Sequence, residues 1–227
     1  MLRPVIIVMV KAPRAGLVKT RLMPRLSANE AAELAACFAL DVVDKALRVV
    51  PQVIVTYAPA DGRAALEAIL QGKLLWLEQR GADLGARIES AIEHASSLGF
   101  GPIIVTGTDS PTLPHSIIET ARDALAAKQA DITLGPTTDG GYYLVGLRKP
   151  VPDLFQNIDW STPHAYEQTA RNAAQANLRP LRLPTWYDVD TFTDLLRLRD
   201  EILADNEAQR RAPATTRWLL AHDLPSA

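Results

Sequence analysis

The sequence predicts an α/β fold, one domain with a mostly parallel central sheet and helices on both faces. Short β-branched runs alternate with longer helical patterns through the first half of the chain. The 227 residues are enough for one well-buried domain, and 48% apolar with 22% charged residues is ordinary for a globular protein. The carboxyl ends of the strands in such a sheet are where ligands bind.

Strands are expected at Pro4 to Val10, Gln52 to Tyr57, Lys73 to Leu77, Pro102 to Gly107, Ile132 to Gly135, Tyr142 to Leu147 and Arg179 to Leu183. Helices are expected at Ala28 to Val49, Gly62 to Leu70, Leu84 to Ser97, Ser116 to Lys128, Thr162 to Ala176 and Phe192 to Asn206. Ser27-Ala28-Asn29-Glu30 has the capping-box form, which sharpens the start of the first long helix. The domain is expected to span 1–206. Residues 207–227 are expected to form a polar, Ala-rich tail with room for a short helix near Thr216 to Ala221.

Composition narrows the function. The net charge is −2, which argues against general nucleic-acid binding or a polybasic membrane surface. The apolar run Val5 to Val10 is far shorter than a membrane span and has no signal-peptide continuation. Cys37 is the sole cysteine, which fits a cytoplasmic protein without internal disulfides. The four histidines show no metal-ligand spacing.

Strand one runs into Lys11-Ala12-Pro13-Arg14-Ala15-Gly16-Leu17-Val18-Lys19-Thr20-Arg21. The first 25 residues hold six Lys or Arg and no Asp or Glu. Several cations around a permissive glycine suit phosphate oxygens, through charge and backbone N–H groups. A P-loop is excluded, because Leu17 and Val18 separate Gly16 from Lys19 and Pro24 interrupts the helix that should follow. A solvated basic loop is the alternative.

Strand four leads into Thr108-Asp109-Ser110-Pro111. A carboxylate there, opposite the basic loop, is placed to hold Mg2+ or Mn2+. The alternative is that Asp109 or Ser110 merely caps the next helix. Asp188 and Asp190 follow a late strand. They are expected to share one ion only if the segment bends, so Asp190 is taken as the metal partner of Asp109. Thr191 to Asp194 also fits a helix cap.

Asp139-Gly140-Gly141 precedes strand six. It reads either as a hairpin turn or as a ligand contact. In the second case Gly140 and Gly141 admit close approach and Asp139 accepts hydrogen bonds from sugar hydroxyls. Arg87, near a helix start flanked by Gly81 and Gly85, is within reach of a phosphate or forms a surface ion pair. Trp160 either stacks on a sugar or acceptor or belongs to the core, with Ser161 or Thr162 as a helix cap.

These segments, in this order, resemble the DUF2064 family. They are Lys11-Ala12-Pro13 with Gly16 to Leu22, Gly81 to Arg87, Gly107 to Pro111, Gly135 to Leu144, Trp160-Ser161-Thr162 and Asp188 to Thr191. The family is assigned to the nucleotide-diphospho-sugar transferases of the GT-A fold. It is also similar to the guanylyltransferases of coenzyme F420 and molybdopterin cofactor biosynthesis. The resemblance implies that the Lys11 to Arg21 loop binds nucleotide phosphates, Asp109 the metal, and that Asp139 faces the sugar or acceptor. Here Asp109 is the only acid in Thr108-Asp109-Ser110, a departure from a strict Asp-x-Asp toward the nucleotidyltransferase branch.

The leading expectation is a metal-dependent glycosyltransferase acting on a nucleotide-sugar donor and a small-molecule acceptor. Lys11, Gly16, Lys19, Thr20, Arg21 and Arg87 bind the phosphates. Lys19 also stabilises the leaving diphosphate, and Asp109 and Asp190 hold Mg2+ or Mn2+. Asp139 positions or deprotonates the acceptor beside Gly140, Gly141 and Trp160. The alternative is a nucleotidyltransferase that joins a nucleoside triphosphate to a phosphorylated acceptor and releases pyrophosphate. A nucleotide-binding protein without turnover is the third reading.

Overall fold

The computed structural model describes residues 3–224. Seven strands form one sheet: β1 (Arg3–Lys11), β2 (Val53–Ala58), β3 (Leu74–Glu78), β4 (Phe100–Thr106), β5 (Ile132–Pro136), β6 (Tyr142–Leu147) and β7 (Pro180–Arg182). Their spatial order is β3-β2-β1-β4-β6-β5-β7. All neighbours run parallel except β6, which is antiparallel to both β4 and β5. The sheet is therefore mostly parallel, as expected. The helices are α1 (Ala28–Val49), α2 (Arg63–Glu67), α3 (Leu84–Ser97), α4 (His115–Ala126), α5 (Ala165–Gln175), α6 (Phe192–Ala204), α7 (Asn206–Arg211) and α8 (Pro213–Ala221).

The central strand shows why the sheet carries helices on both faces. Along β1, Ile6, Val8 and Val10 join a core with Ala39, Val43 and Ala46 of α1 and Ile118 and Ala121 of α4. Val5 and Ile7 face the other way, toward Ile88, Ala91 and Ile92 of α3. Period-two alternation thus sends the β1 side chains from Val5 to Val10 into one of two cores, each full burial stabilising by ~1.5–3 kcal/mol.

Several boundaries differ from expectation, and two of them have clear local reasons. The helix expected from Thr162 begins at Ala165, and its cap is His164 with no side-chain bond. Pro163 has no N–H, and the Thr162 hydroxyl donates backward to the Asp159 carbonyl (2.6 Å). The last strand is only three residues long, at the sheet edge, where a leading proline is tolerated.

The C-terminal segment contains the helix expected near Thr216 to Ala221, and more besides. Residues 206–221 form α7 and α8. Ala208, Trp218 and Leu219 share a third core with Leu22, Leu34 and Phe38 and with Val189, Leu195 and Leu198. No helix among the described residues is long and apolar enough to cross a membrane.

Candidate active site

Adjacent parallel strands β1 and β4 end on the same rim, and the loops after them meet there. After β1, Gly16 takes φ +79, a conformation that favours glycine, and turns the chain toward Lys19. Lys19 itself lies in the left-handed region at φ 47, a strained setting for a residue with a Cβ. Buried Val18 and Leu22 anchor the loop on either side of it.

The Lys19 ammonium is the meeting point. It lies 2.5 Å from Asp109 Oδ1 and 3.4 Å from Asp190 Oδ1, and donates to the Val189 carbonyl at 2.7 Å. Its side chain is only 8% exposed, whereas Asp109 and Asp190 remain 43% and 40% open to solvent. Burial pulls the Lys19 pKa down, but the charges of Asp109, Asp190 and Asp188 together outweigh it and raise it above the ordinary value. Arg21 stands 3.9 Å from Asp190.

These residues line one cavity of about 590 Å³. Its wall includes Lys11, Lys19, Thr20, Arg21, Gln79, Arg87, Asp109, Asp188 and Asp190. The sequence-predicted cations and acids therefore converge. Asp109 and Ser110 are not helix caps, since α4 begins after Pro114 without a side-chain cap. The cap of α6 is a capping box of Thr191 and Asp194, which leaves Asp190 to the cavity.

Asp188 corrects an expectation. It was expected to diverge from Asp190 unless the chain bends. Alternation in an extended segment instead puts residues two apart on one side. Val189 between them is fully buried in the core, and both carboxylates reach the cavity wall. Asp188 Oδ1 accepts from the Ser110 hydroxyl at 2.6 Å. Burial, then the charge of Asp109, pushes its pKa up to about 7. A carboxyl whose folded pKa lies above its unfolded one favours the fold when protonated. That contribution is lost as pH rises through the window from about 4 to 7. Asp188→Asn is therefore expected to raise stability at pH 8 by ~1–2 kcal/mol, after allowing for solvent at the cavity wall, and by much less at pH 5. Thermal melts at the two pH values check this; a gain that is larger at pH 5 contradicts it.

Gln79 was missed by sequence reasoning. Its amide nitrogen donates to the Val10 and Thr56 carbonyls at 3.3 and 3.0 Å. Both neighbours are acceptors, so the amide orientation is determined and its oxygen is the end left for a ligand. A polar residue two places after a strand expected to end at Leu77 on the ligand-binding rim was the available signal.

Four expected residues lie elsewhere. Asp139, Gly140, Gly141 and Trp160 are not among the cavity-lining residues. The Asp139 carboxylate accepts from the Thr137 hydroxyl and from the Gly141 N–H (3.2 Å), closing the β5–β6 hairpin. Gly140 has φ +89, and a Cβ there would come 2.2 Å from the Pro163 carbonyl oxygen, so the turn leaves no room for a side chain. Trp160 fills the space beside Gly85, where an added Cβ would meet its ring at 2.8 Å, and sets its edge against Tyr142. Gly16 shapes the basic loop without lining the cavity.

The donor chemistry suits a divalent ion. Asp109 and Asp190 present hard oxygen ligands to the same point, now satisfied by an ammonium. Among the described residues, no group of three or more His, Cys, Asp or Glu is arranged to hold a metal. Phosphate oxygens would therefore have to complete the shell, the usual arrangement for Mg2+ in nucleotide enzymes.

Comparison with known proteins agrees with this architecture. A structure described as a candidate nucleotide-diphospho-sugar transferase from Desulfovibrio desulfuricans G20 is 31% identical, with a TM-score of 0.86 over 99% of this chain and 100% of that one. The inositol-1-phosphate CTP transferase from T. maritima shares the fold at 13% identity, TM-score 0.57, over 94% and 96% of the two chains. A curated relative, 2-phospho-L-lactate guanylyltransferase of Methanothermobacter thermautotrophicus, is 31% identical over 60% of this chain and 59% of its own. The chain thus spans about three fifths of that relative's length. The fold is that of the nucleotide-diphospho-sugar transferases. The family described as "Uncharacterized protein conserved in bacteria (DUF2064)" matches residues 42–162, more than half the sequence, and the chain belongs to it.

Proposed function

We propose that the protein is a nucleotidyltransferase that joins a nucleoside triphosphate to a phosphorylated small molecule and releases pyrophosphate. The supporting observation is the convergence of Lys19, Asp109 and Asp190 on one point of the cavity wall. The lone acid after β4 and the match to a guanylyltransferase over three fifths of each chain favour this over sugar transfer.

An oxygen of the acceptor phosphate attacks the α-phosphorus of the nucleotide. The bond from that phosphorus to the bridging oxygen breaks, and pyrophosphate leaves with the electron pair. Lys19 and Arg21 face the charge that grows on the leaving group. Asp109 and Asp190 would hold Mg2+ or Mn2+, which supplies charge neutralisation on the phosphates. In this reading the Gln79 amide oxygen, on the same cavity wall, accepts from an N–H of the nucleotide. A phosphate monoester is already largely ionised near neutral pH, its second pKa being about 6. The acceptor therefore needs no general base, and the engagement of Asp139 in its own turn is no obstacle.

Glycosyl transfer is the second reading, favoured by the full-length likeness to a candidate sugar-nucleotide enzyme. One assay separates the two. The protein is incubated with Mg2+, each of GTP, ATP, CTP and UTP, and a panel of phosphorylated hydroxy acids, alcohols and sugars. Pyrophosphate release that needs both acceptor and Mg2+ is the expected result. Release of a nucleoside diphosphate from a sugar nucleotide, with no pyrophosphate from any triphosphate, overturns it.

A further inference from the structure

Two buried polar links connect the C-terminal helices to the turn that carries Asp109. The first begins at α8. Asp41 of α1, 1% exposed, accepts the backbone N–H groups of Ala214 and Thr215, each at 2.8 Å, and the Thr215 hydroxyl at 2.6 Å. These N–H groups belong to the first turn of α8, where the helix supplies no partners of its own. One turn further along α1, Lys45 is 5% exposed and donates to the Pro111 carbonyl at 2.6 Å.

The second link runs through Glu201 of α6. It accepts the hydroxyl of fully buried Thr112 at 3.1 Å and also that of Tyr187. Arg211 of α7 lies 3.6 Å from the same carboxylate. Pro111 and Thr112 closely follow Asp109, and Tyr187 immediately precedes Asp188. The Val189 N–H donates to the Asp109 carbonyl at 2.9 Å, joining the two acid-bearing segments.

Burial drives the Lys45 pKa down to about 7, and its hydrogen bond goes to an uncharged carbonyl. What the bond fixes is the position of Pro111, two residues from Asp109.

We propose that Lys45 and Glu201 are positioning residues, which brace the Asp109 turn and the Asp188–Asp190 segment against the C-terminal helices. The purpose of that bracing rests on the nucleotidyltransferase reading, whereas the bracing itself rests on the contacts above.

Amide hydrogen exchange on the full chain tests it, with Lys45→Met and Thr112→Val against the wild type. Exchange in 108–113 and 187–190, including the Val189 N–H, is expected to quicken at least about tenfold while the central strands stay protected. Mn2+ affinity of Lys45→Met in the presence of GTP, ATP, CTP or UTP is expected to fall at least about fivefold. Wild-type exchange in those segments, or quickening spread evenly over the chain, overturns the proposal. If Lys45→Met does not fold, Thr112→Val decides alone. A wild type that binds Mn2+ with none of the four nucleotides would count against the nucleotidyltransferase reading, and exchange would still judge the bracing.

Discussion

Asp109→Asn is expected to lower Mg2+-dependent turnover by about a thousandfold or more while leaving the fold intact. The carboxylate is 43% exposed and is not part of a core, so its loss removes no packing. Its backbone carbonyl still accepts from Val189, so the turn stays in place. What is lost is one of the two carboxylates that face the Lys19 point. An amide oxygen there carries no charge to hold a divalent ion against water. The Lys19 pKa, now raised by Asp109 ahead of Asp190 and Asp188, moves down as well. Steady-state kinetics over a Mg2+ titration checks the prediction. A variant with wild-type turnover and the same metal requirement contradicts it.

Lys19→Ala is expected to act in two opposite directions. Nucleotide affinity falls about 10–100-fold, because a charged hydrogen bond to phosphate is worth about 1.5–3 kcal/mol. Mn2+ affinity without nucleotide rises, because the ammonium that now lies 2.5 Å from Asp109 and 3.4 Å from Asp190 no longer competes for them. Removing it also leaves Asp109, Asp188 and Asp190 without their buried cation. The metal-free variant should therefore melt lower than the wild type, with Mn2+ recovering much of the difference. Calorimetric titration and thermal melts with and without Mn2+ measure all three effects. Unaltered nucleotide affinity, or Mn2+ binding that weakens, contradicts the assignment of this residue.

The fold was largely legible because local and tertiary preferences agree. The helix expected at Ala28 to Val49 has those bounds, its start set by a capping box whose two hydrogen bonds form as the sequence implies. The helix expected at Leu84 to Ser97 likewise matches, with Asp83 accepting from the Ala86 N–H as its cap. The convergence of the basic loop with Asp109 followed from a rule of sheet geometry, that loops after adjacent parallel strands share a rim.

What the sequence concealed were features decided by tertiary neighbours. Asp139-Gly140-Gly141 forms a hairpin turn whose contacts with the Thr137 hydroxyl and the Pro163 backbone could not be read from the sequence. Trp160 could not be placed without knowing that Gly85 and Tyr142 lie against it. The polar look of 206–221 hides Ala208 of α7 and Trp218 and Leu219 of α8, which share a core with Leu22, Leu34 and Phe38 far away in the chain. Asp188 is different, since strict period-two reasoning already puts it beside Asp190.

The most direct test of the shared metal and phosphate site is a crystal structure with Mn2+ and a non-hydrolysable nucleoside triphosphate. The expected result is a Mn2+ anomalous peak within about 2.0–2.3 Å of carboxylate oxygens of both Asp109 and Asp190, with the Lys19 ammonium moved from those carboxylates onto a phosphate oxygen. A nucleotide whose phosphates lie away from Lys19, or a metal bound without either aspartate, would contradict it.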